Sequence, residues 1–213
     1  GNHSLSLTCN SNQKIEVSDY KNVPNINTYP LLNDAAQAYG IIWVEDDSQF
    51  VVPVYLGGSS ATLLSPDGIN WTGSTSPVIS NSEGIAYATE ISTYVMGGGG
   101  GSAISYSTDG ADTWTTVAPV GNGNWRQIAW SGSIFAAVSS QGTDRIAYSS
   151  DGISWTLVSG FDYASWRCLE WNGVIFTALG SGGVTTSPIY STDGINWSND
   201  GSIIEAGNHY EMC

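Results

Sequence analysis

The sequence predicts an all-β fold assembled from repeated four-stranded antiparallel sheets, on three observations. A Ser-x-Asp-Gly motif followed by tryptophan occurs four times, with its aspartates at 67, 109, 151 and 193, each 42 positions after the one before. Glycine (26 residues) and large aromatics (9 Trp, 11 Tyr, 4 Phe) are abundant in the 213-residue chain, as many short strands, tight turns and ring-packed layers require. Each interval also carries the same order of apolar runs and turn signals. A constant period of about 40 residues with one supersecondary unit per copy is the signature of a β-propeller.

Within each copy a first strand is read at Ile41-Ile42-Trp43, Ile85-Ala86-Tyr87, Ile128-Ala129-Trp130 and Leu169-Glu170-Trp171. A second strand is read at 50–56, 94–96, 134–138 and 174–179. Short turns such as Ser131-Gly132 and Asn172-Gly173 separate the two, and Asn-Gly supplies the positive φ angles of a tight hairpin. A third strand, as in Arg145-Ile146-Ala147-Tyr148, runs into the Ser-x-Asp-Gly turn, and a fourth leaves through the tryptophan. Four strands make one blade, with copies near 36–77, 78–120, 121–160 and 161–201 and a partial copy at 202–213. Residues 1–35 fall outside the repeat and contain strand-like stretches at 5–9 and 14–18. The expectation is therefore five blades, with N- and C-terminal strands sharing the closing one so that no sheet edge is left open. The alternatives are an N-terminal arm docked on another subunit, or a chain cut from a longer one.

Five basic residues stand against nineteen acidic ones, a formal net charge of −14, so nucleic acid and acidic lipid are excluded as partners on average field alone. No apolar run is long enough to insert in a membrane, and no signal-peptide pattern opens the chain. Three cysteines without CxxC spacing argue against a zinc site. They are read either as unrelated thiols or as a Cys9–Cys213 bridge where a propeller ring closes, leaving Cys168 buried and free. No cofactor or metal is expected, and Glu45-Asp46-Asp47 reads as a solvated acidic turn rather than a calcium site. Gly97 to Gly101 lacks the Lys and helix of a phosphate loop and reads as a hairpin tip.

The four turns are Ser65-Pro66-Asp67-Gly68-Ile69-Asn70-Trp71, Ser107-Thr108-Asp109-Gly110-Ala111-Asp112-Thr113-Trp114, Ser149-Ser150-Asp151-Gly152-Ile153-Ser154-Trp155 and Ser191-Thr192-Asp193-Gly194-Ile195-Asn196-Trp197. They resemble the Asp-box, or BNR, motif of sialidases, sortilin-type receptors, some glycoside hydrolases and many phage tail proteins, over about residues 36 to 201. The resemblance implies that Asp67, Asp109, Asp151 and Asp193 accept backbone N–H groups in the turn and that Trp71, Trp114, Trp155 and Trp197 pack between layers. Physical reasoning agrees, because a turn pressed on a neighbouring blade must satisfy its own amides and a short carboxylate folded over them does so locally.

Catalytic sets are scarce. The only histidines, His3 and His209, sit at the chain ends, and no GxSxG elbow is present. None of the three arginines lies in the Arg-Ile-Pro context that the sialidase resemblance would require. The candidate ligand site is Trp125-Arg126 with Trp166-Arg167, matching positions of adjacent blades beside the innermost strand, where an indole next to a guanidinium suits a sugar ring. Blade-to-blade packing is the alternative reading of the same residues. Glycosylation sequons fall at Asn2, Asn70 and Asn196, two of them inside the repeated turn. The expected function is a non-enzymatic extracellular or virion-surface structural or adhesion protein, homo-oligomeric or part of a larger assembly, with cell-surface glycan as the candidate ligand. A glycoside hydrolase or sialidase-like enzyme and a protein-binding receptor module are the rivals.

Overall fold

In the computed structural model the described residues are 37–55, 60–74, 79, 82–99, 103–118, 120–161, 164–181 and 188–199. They form four antiparallel sheets in chain order, with a single 3-10 turn at Thr89–Ile91 as the one helical element among them. The first sheet comprises β1 (Gln37–Ala38), β2 (Ile42–Val44), β3 (Gln49–Tyr55), β4 (Ser60–Ser65) and β5 (Thr72–Gly73); β1 and β2 are two pieces of one inner strand, both paired with β3. The second comprises β6 (Ser82–Ala88), β7 (Thr93–Gly98), β8 (Ile104–Ser107) and β9 (Thr115–Thr116). The third comprises β10 (Trp125–Trp130), β11 (Phe135–Ser139), β12 (Ile146–Ser149) and β13 (Thr156–Val158). The fourth comprises β14 (Ser165–Trp171), β15 (Phe176–Ser181), β16 (Ile189–Ser191) and β17 (Ser198–Asn199). The architecture is that of a β-propeller, each sheet one blade. The strands at 5–9, 14–18 and 202–213 expected to build a closing fifth blade lie outside the described residues.

The sheets stack face to face because both faces of the middle blades are apolar. Val44 and Val51 of the first blade meet Ile85, Tyr94 and Met96 of the second. Ala86, Val95 and Ile104 of the second meet Trp125, Phe135 and Ala147 of the third, and Ala136, Val138 and Ile146 of the third meet Trp166, Phe176 and Ile189 of the fourth. One aromatic cluster recurs in every blade. An aromatic closing the inner strand (Trp43, Tyr87, Trp130, Trp171) lies 4.7, 4.5, 4.3 and 4.6 Å, centroid to centroid, from one opening the second strand (Phe50, Tyr94, Phe135, Phe176). The turn tryptophan completes each cluster at 6.3, 6.4, 6.4 and 6.1 Å. Such tilted ring pairs add to the area they bury.

The first and third strands of a blade run the same way, so the turns that follow them share one face of the stack, and the starts of the inner strands lie on the other. Inner strands of successive blades contact one another, which places those starts around the axis of the stack.

Candidate functional site

Every described inner strand carries a β-bulge at the same height. In the second blade Ser82 opposes Gly98 and Ile85 opposes Met96, so one residue of the Glu83-Gly84 pair is extra. Arg126 is the extra residue between Trp125 opposite Ser139 and Gln127 opposite Val138, and Arg167 the extra one between Trp166 opposite Gly180 and Cys168 opposite Leu179. In the first blade the interruption between β1 and β2, at 39–41, adds one residue against β3. A bulge twists the strand and re-aims the side chain it inserts. Tyr39, Glu83, Arg126 and Arg167 are thereby collected at the axial mouth on the face away from the Ser-x-Asp-Gly turns.

The mouth is electrostatically coupled. The Arg126 guanidinium donates to the Glu83 carboxylate of the preceding blade, an ion pair with side chains 20% and 15% exposed, and its Nε donates to Ser140 Oγ at 2.7 Å. Burial lowers the Arg126 pKa, and the neighbouring Arg167 charge lowers it further. Burial raises the Tyr39 phenol, with the Arg126 charge acting in the opposite sense. The Tyr39 hydroxyl donates to Gln37 Oε1. Backbone packing holds these groups in place: a Cβ on Gly84 would sit 2.5 Å from Gln127 Cα and 2.7 Å from the Arg126 carbonyl oxygen, and one on Gly40 3.1 Å from the Glu83 carbonyl oxygen.

Of the two readings of Trp125-Arg126 and Trp166-Arg167, the tryptophans follow blade-to-blade packing and offer no indole face to a sugar. Trp125 and Trp166 are both 0% exposed and belong to the blade-to-blade cores. Their indole N–H groups donate to the carbonyls of Val120 (3.2 Å) and Phe161 (2.8 Å). The bulge explains the split, since it sends consecutive residues to different surroundings, tryptophan between sheets and arginine to the mouth. Arg145, the third arginine, is tied to backbone, with Nε on the Gly142 carbonyl (2.9 Å) and Nη1 on the Ala164 carbonyl of the next blade (2.6 Å). Tyr39 and Glu83 escaped the sequence reading. Extending the repeat alignment upstream of the apolar first strand would have exposed them, because Glu83 precedes Arg126 by 43 positions and Arg126 precedes Arg167 by 41.

At the opposite face, each turn aspartate folds over the backbone. Asp67 Oδ1 accepts from the N–H groups of Ile69 (2.8 Å) and Asn70 (2.7 Å), Asp151 Oδ1 from Ile153 (2.8 Å) and Ser154 (2.7 Å), and Asp193 Oδ1 from Ile195 (2.9 Å) and Asn196 (2.7 Å). In the longer second turn Asp109 Oδ1 accepts one backbone N–H, that of Thr113 (2.9 Å), beside the Ser107 hydroxyl, and Ala111 takes a left-handed φ of 65° to absorb the extra residue. All four tryptophans nonetheless reach the carbonyl three residues back: Gly68, Ala111, Gly152 and Gly194. Hydrogen bonds from the Asn70 and Asn196 backbone and side chains hold Asp67 and Asp193 well below the usual carboxylate range. For Asp109 and Asp151 partial burial pushes upward but is outweighed by donors on Thr113 and on Ser154 and Ile153. The amide nitrogens of the sequon residues Asn70 and Asn196 donate to Asp67 and Asp193 Oδ2 at 2.7 and 2.8 Å; Asn2 lies outside the described residues.

Cys168 is half-buried and disulfide-bonded, which corrects the expectation of a free buried thiol. Cys9 and Cys213, the pair expected to bridge, lie outside the described residues. The acidic hairpin is not simply solvated: Asp46 accepts from the Tyr87 hydroxyl and Asp47 from the Tyr94 hydroxyl of the next blade. Among the described residues no cluster of His, Cys, Asp and Glu is arranged to hold a metal ion, and no helix is long and apolar enough to cross a membrane. Gly97 lies within β7, paired with Ile104 and not at a hairpin tip, and faces the Trp125 carbonyl, where a Cβ would approach to 2.8 Å.

No protein-family profile matches the sequence, and no curated protein does. Solved structures do resemble it. Virginiamycin B lyase from Staphylococcus aureus superimposes with a TM-score of 0.63 at 14% identity over 79% of this chain and 57% of that one. The Niastella koreensis GH74 enzyme gives a TM-score of 0.57 at 21% identity, over 78% of this chain and 24% of that chain. YCF48 from Cyanidioschyzon merolae gives 0.55 at 13%, over 83% of this chain and 62% of that chain. At such identities the likeness establishes the propeller fold alone, and this chain spans less than two thirds of each of these structures. The same fold is found in enzymes and in a nidogen/laminin complex (TM-score 0.51, 15% identity, 69% of this chain and 60% of that one), so function rests on the site.

Proposed function

We propose that this chain is an Asp-box propeller of the extracellular space or a virion surface, a non-enzymatic structural and adhesion protein that works in an oligomer or larger assembly and takes a cell-surface glycan at its axial mouth. The observation that carries this reading is the convergence of Tyr39, Glu83, Arg126 and Arg167 on one mouth from four successive inner strands. A rigid stack of sheets holds polar groups there at fixed separations, as recognition of a shaped ligand requires. Glycosidases of the usual kind need two carboxylates across the scissile bond, one of them protonated near neutrality. At this mouth the described residues supply one carboxylate, Glu83, already engaged by Arg126. The turn carboxylates, meanwhile, are displaced downward, the direction of a permanent anion.

The enzyme reading is favoured by one observation, the phenol of Tyr39 lying close enough to Arg126 for their charges to interact, beside the Glu83 carboxylate. A glycan array read alongside fluorogenic glycosides separates the two. Adhesion expects glycan retention without turnover, at least tenfold weaker in Arg126→Ala and Arg167→Ala. Turnover abolished by the same substitutions would establish the enzyme.

A further inference from the structure

We propose that Asn172 is a site of self-modification, at which the side-chain amide cyclises onto the Gly173 nitrogen and the ring then takes up water, so that the β14–β15 hairpin ends closed by an aspartate. The site lies on the face that carries the repeat turns and is independent of any ligand at the mouth.

Trp171 opposite Phe176 is the last ladder pair before this hairpin, whose loop is Asn172-Gly173-Val174-Ile175. The Asn172 N–H donates to the Ile175 carbonyl at 3.2 Å, and Gly173 takes a φ of 94° at the tip. Asn172 Oδ1 accepts from the N–H groups of Val174 and Ile175, both at 2.9 Å. Those donors stand two and three residues on, the pattern in which Asp67, Asp151 and Asp193 take their turn amides. In the third blade Ser131 holds the matching place, and its hydroxyl oxygen accepts the Ile134 N–H at 3.1 Å. The hairpin therefore needs an oxygen acceptor here, which a carboxylate supplies as well as an amide does.

Cyclisation forms a bond from the Gly173 nitrogen to Asn172 Cγ and breaks the bond from Cγ to the side-chain nitrogen, which leaves as ammonia with the Gly173 proton. Water then opens the ring at Cγ and yields the aspartate, with nothing oxidised or reduced. Negative charge develops on Oδ1 as the nitrogen adds, and the two N–H groups already on that oxygen stabilise it. Nucleophile and carbonyl are neighbours in one fixed turn, so little entropy is lost in bringing them together. The tip is open: Asn172 and Gly173 are exposed, Val174 is 69% exposed, and a Cβ on Gly173 would meet nothing within 4 Å. The product keeps the acceptor oxygen and adds a charge to it, which strengthens both turn bonds.

The chain holds its own control, because Asn122-Gly123 is its other Asn-Gly pair. There Oδ1 is tied to the distant Thr143 N–H at 3.0 Å, and Gly123 is buried, with a Cβ coming within 2.6 Å of Ser139 Oγ. Folding Asn122 onto the Gly123 nitrogen must break the first contact and move the second.

The folded chain, held at mildly alkaline pH and then digested in acid, is read by peptide mass mapping. Amide-to-acid conversion is expected about tenfold or more faster at Asn172 than at Asn122, and at similar rates for the two in urea. Equal rates in the folded chain, or faster conversion at Asn122, overturn the proposal; a contrast that persists in urea does the same, since the fold would then not be its cause. Chromatography separates aspartyl from isoaspartyl peptides, and aspartate is expected to predominate. Isoaspartate lengthens the main chain of the hairpin, so its predominance would sink the turn-closing outcome. Asn172→Asp is expected to keep or raise the urea midpoint, and a lowered midpoint would count decisively against a carboxylate closing this turn.

Discussion

Asp151 shows how much one residue organises. Its carboxylate takes two backbone N–H groups and the Ser149 hydroxyl in a turn whose glycine lies against the preceding blade, where a Cβ on Gly152 would come within 2.6 Å of Val95 Cγ2. Asp151→Ala leaves those donors to water and is expected to lower unfolding free energy by about 1–2 kcal/mol, read from the urea midpoint. The same bonds set an acid limb. The folded pKa lies below the unfolded one, so the stability is present above pH ~4, where the unfolded carboxylate is ionised, and is lost as pH falls through the folded value. Melting curves taken downward from pH 5 should show wild type losing ground to Asp151→Ala; parallel curves would count against the turn carboxylates as the cause. The aspartates were readable as turn residues from their 42-residue spacing, whereas the ligand and packing readings of Trp125 and Trp166 stayed open because a bulge leaves no mark in a single sequence, and their burial selects packing.

At the scale of the element, the inner strand is both core and site. Its apolar positions, such as Ile128 in β10 and Leu169 in β14, pack between sheets, while its bulge turns one residue to the axis. Gly84 is where two such strands touch, and a methyl group there meets the backbone of Arg126 and Gln127 rather than a movable side chain. Gly84→Ala should cost about 1–3 kcal/mol by overpacking and weaken glycan retention at the mouth along with stability. A variant with wild-type stability and binding would show that the strands can part. The strand order of every blade was legible from apolar runs and turn residues. The inner strands, however, extend upstream of the expected Ile-Ala-Tyr type runs, to Ser82, Trp125 and Ser165, because polar residues join a ladder once a neighbouring strand supplies the hydrogen bonds.

For the whole molecule, the disulfide at Cys168 anchors the last described inner strand. A cross-link of this kind mainly restricts the unfolded chain. Cys168→Ser is expected to lose about 2–4 kcal/mol of unfolding free energy, and an unchanged urea midpoint would deny the bridge a stabilising role. The sequence by itself determined the repeat, the four strands of each blade and the carboxylate-closed turns, because periodicity and turn chemistry are local properties of the chain. Only the tertiary structure decided which side chains reach the axis and which cysteine is bridged. Those outcomes depend on how sheets distant in sequence press together and where each inner strand bulges to let them, and no local pattern encodes that fit.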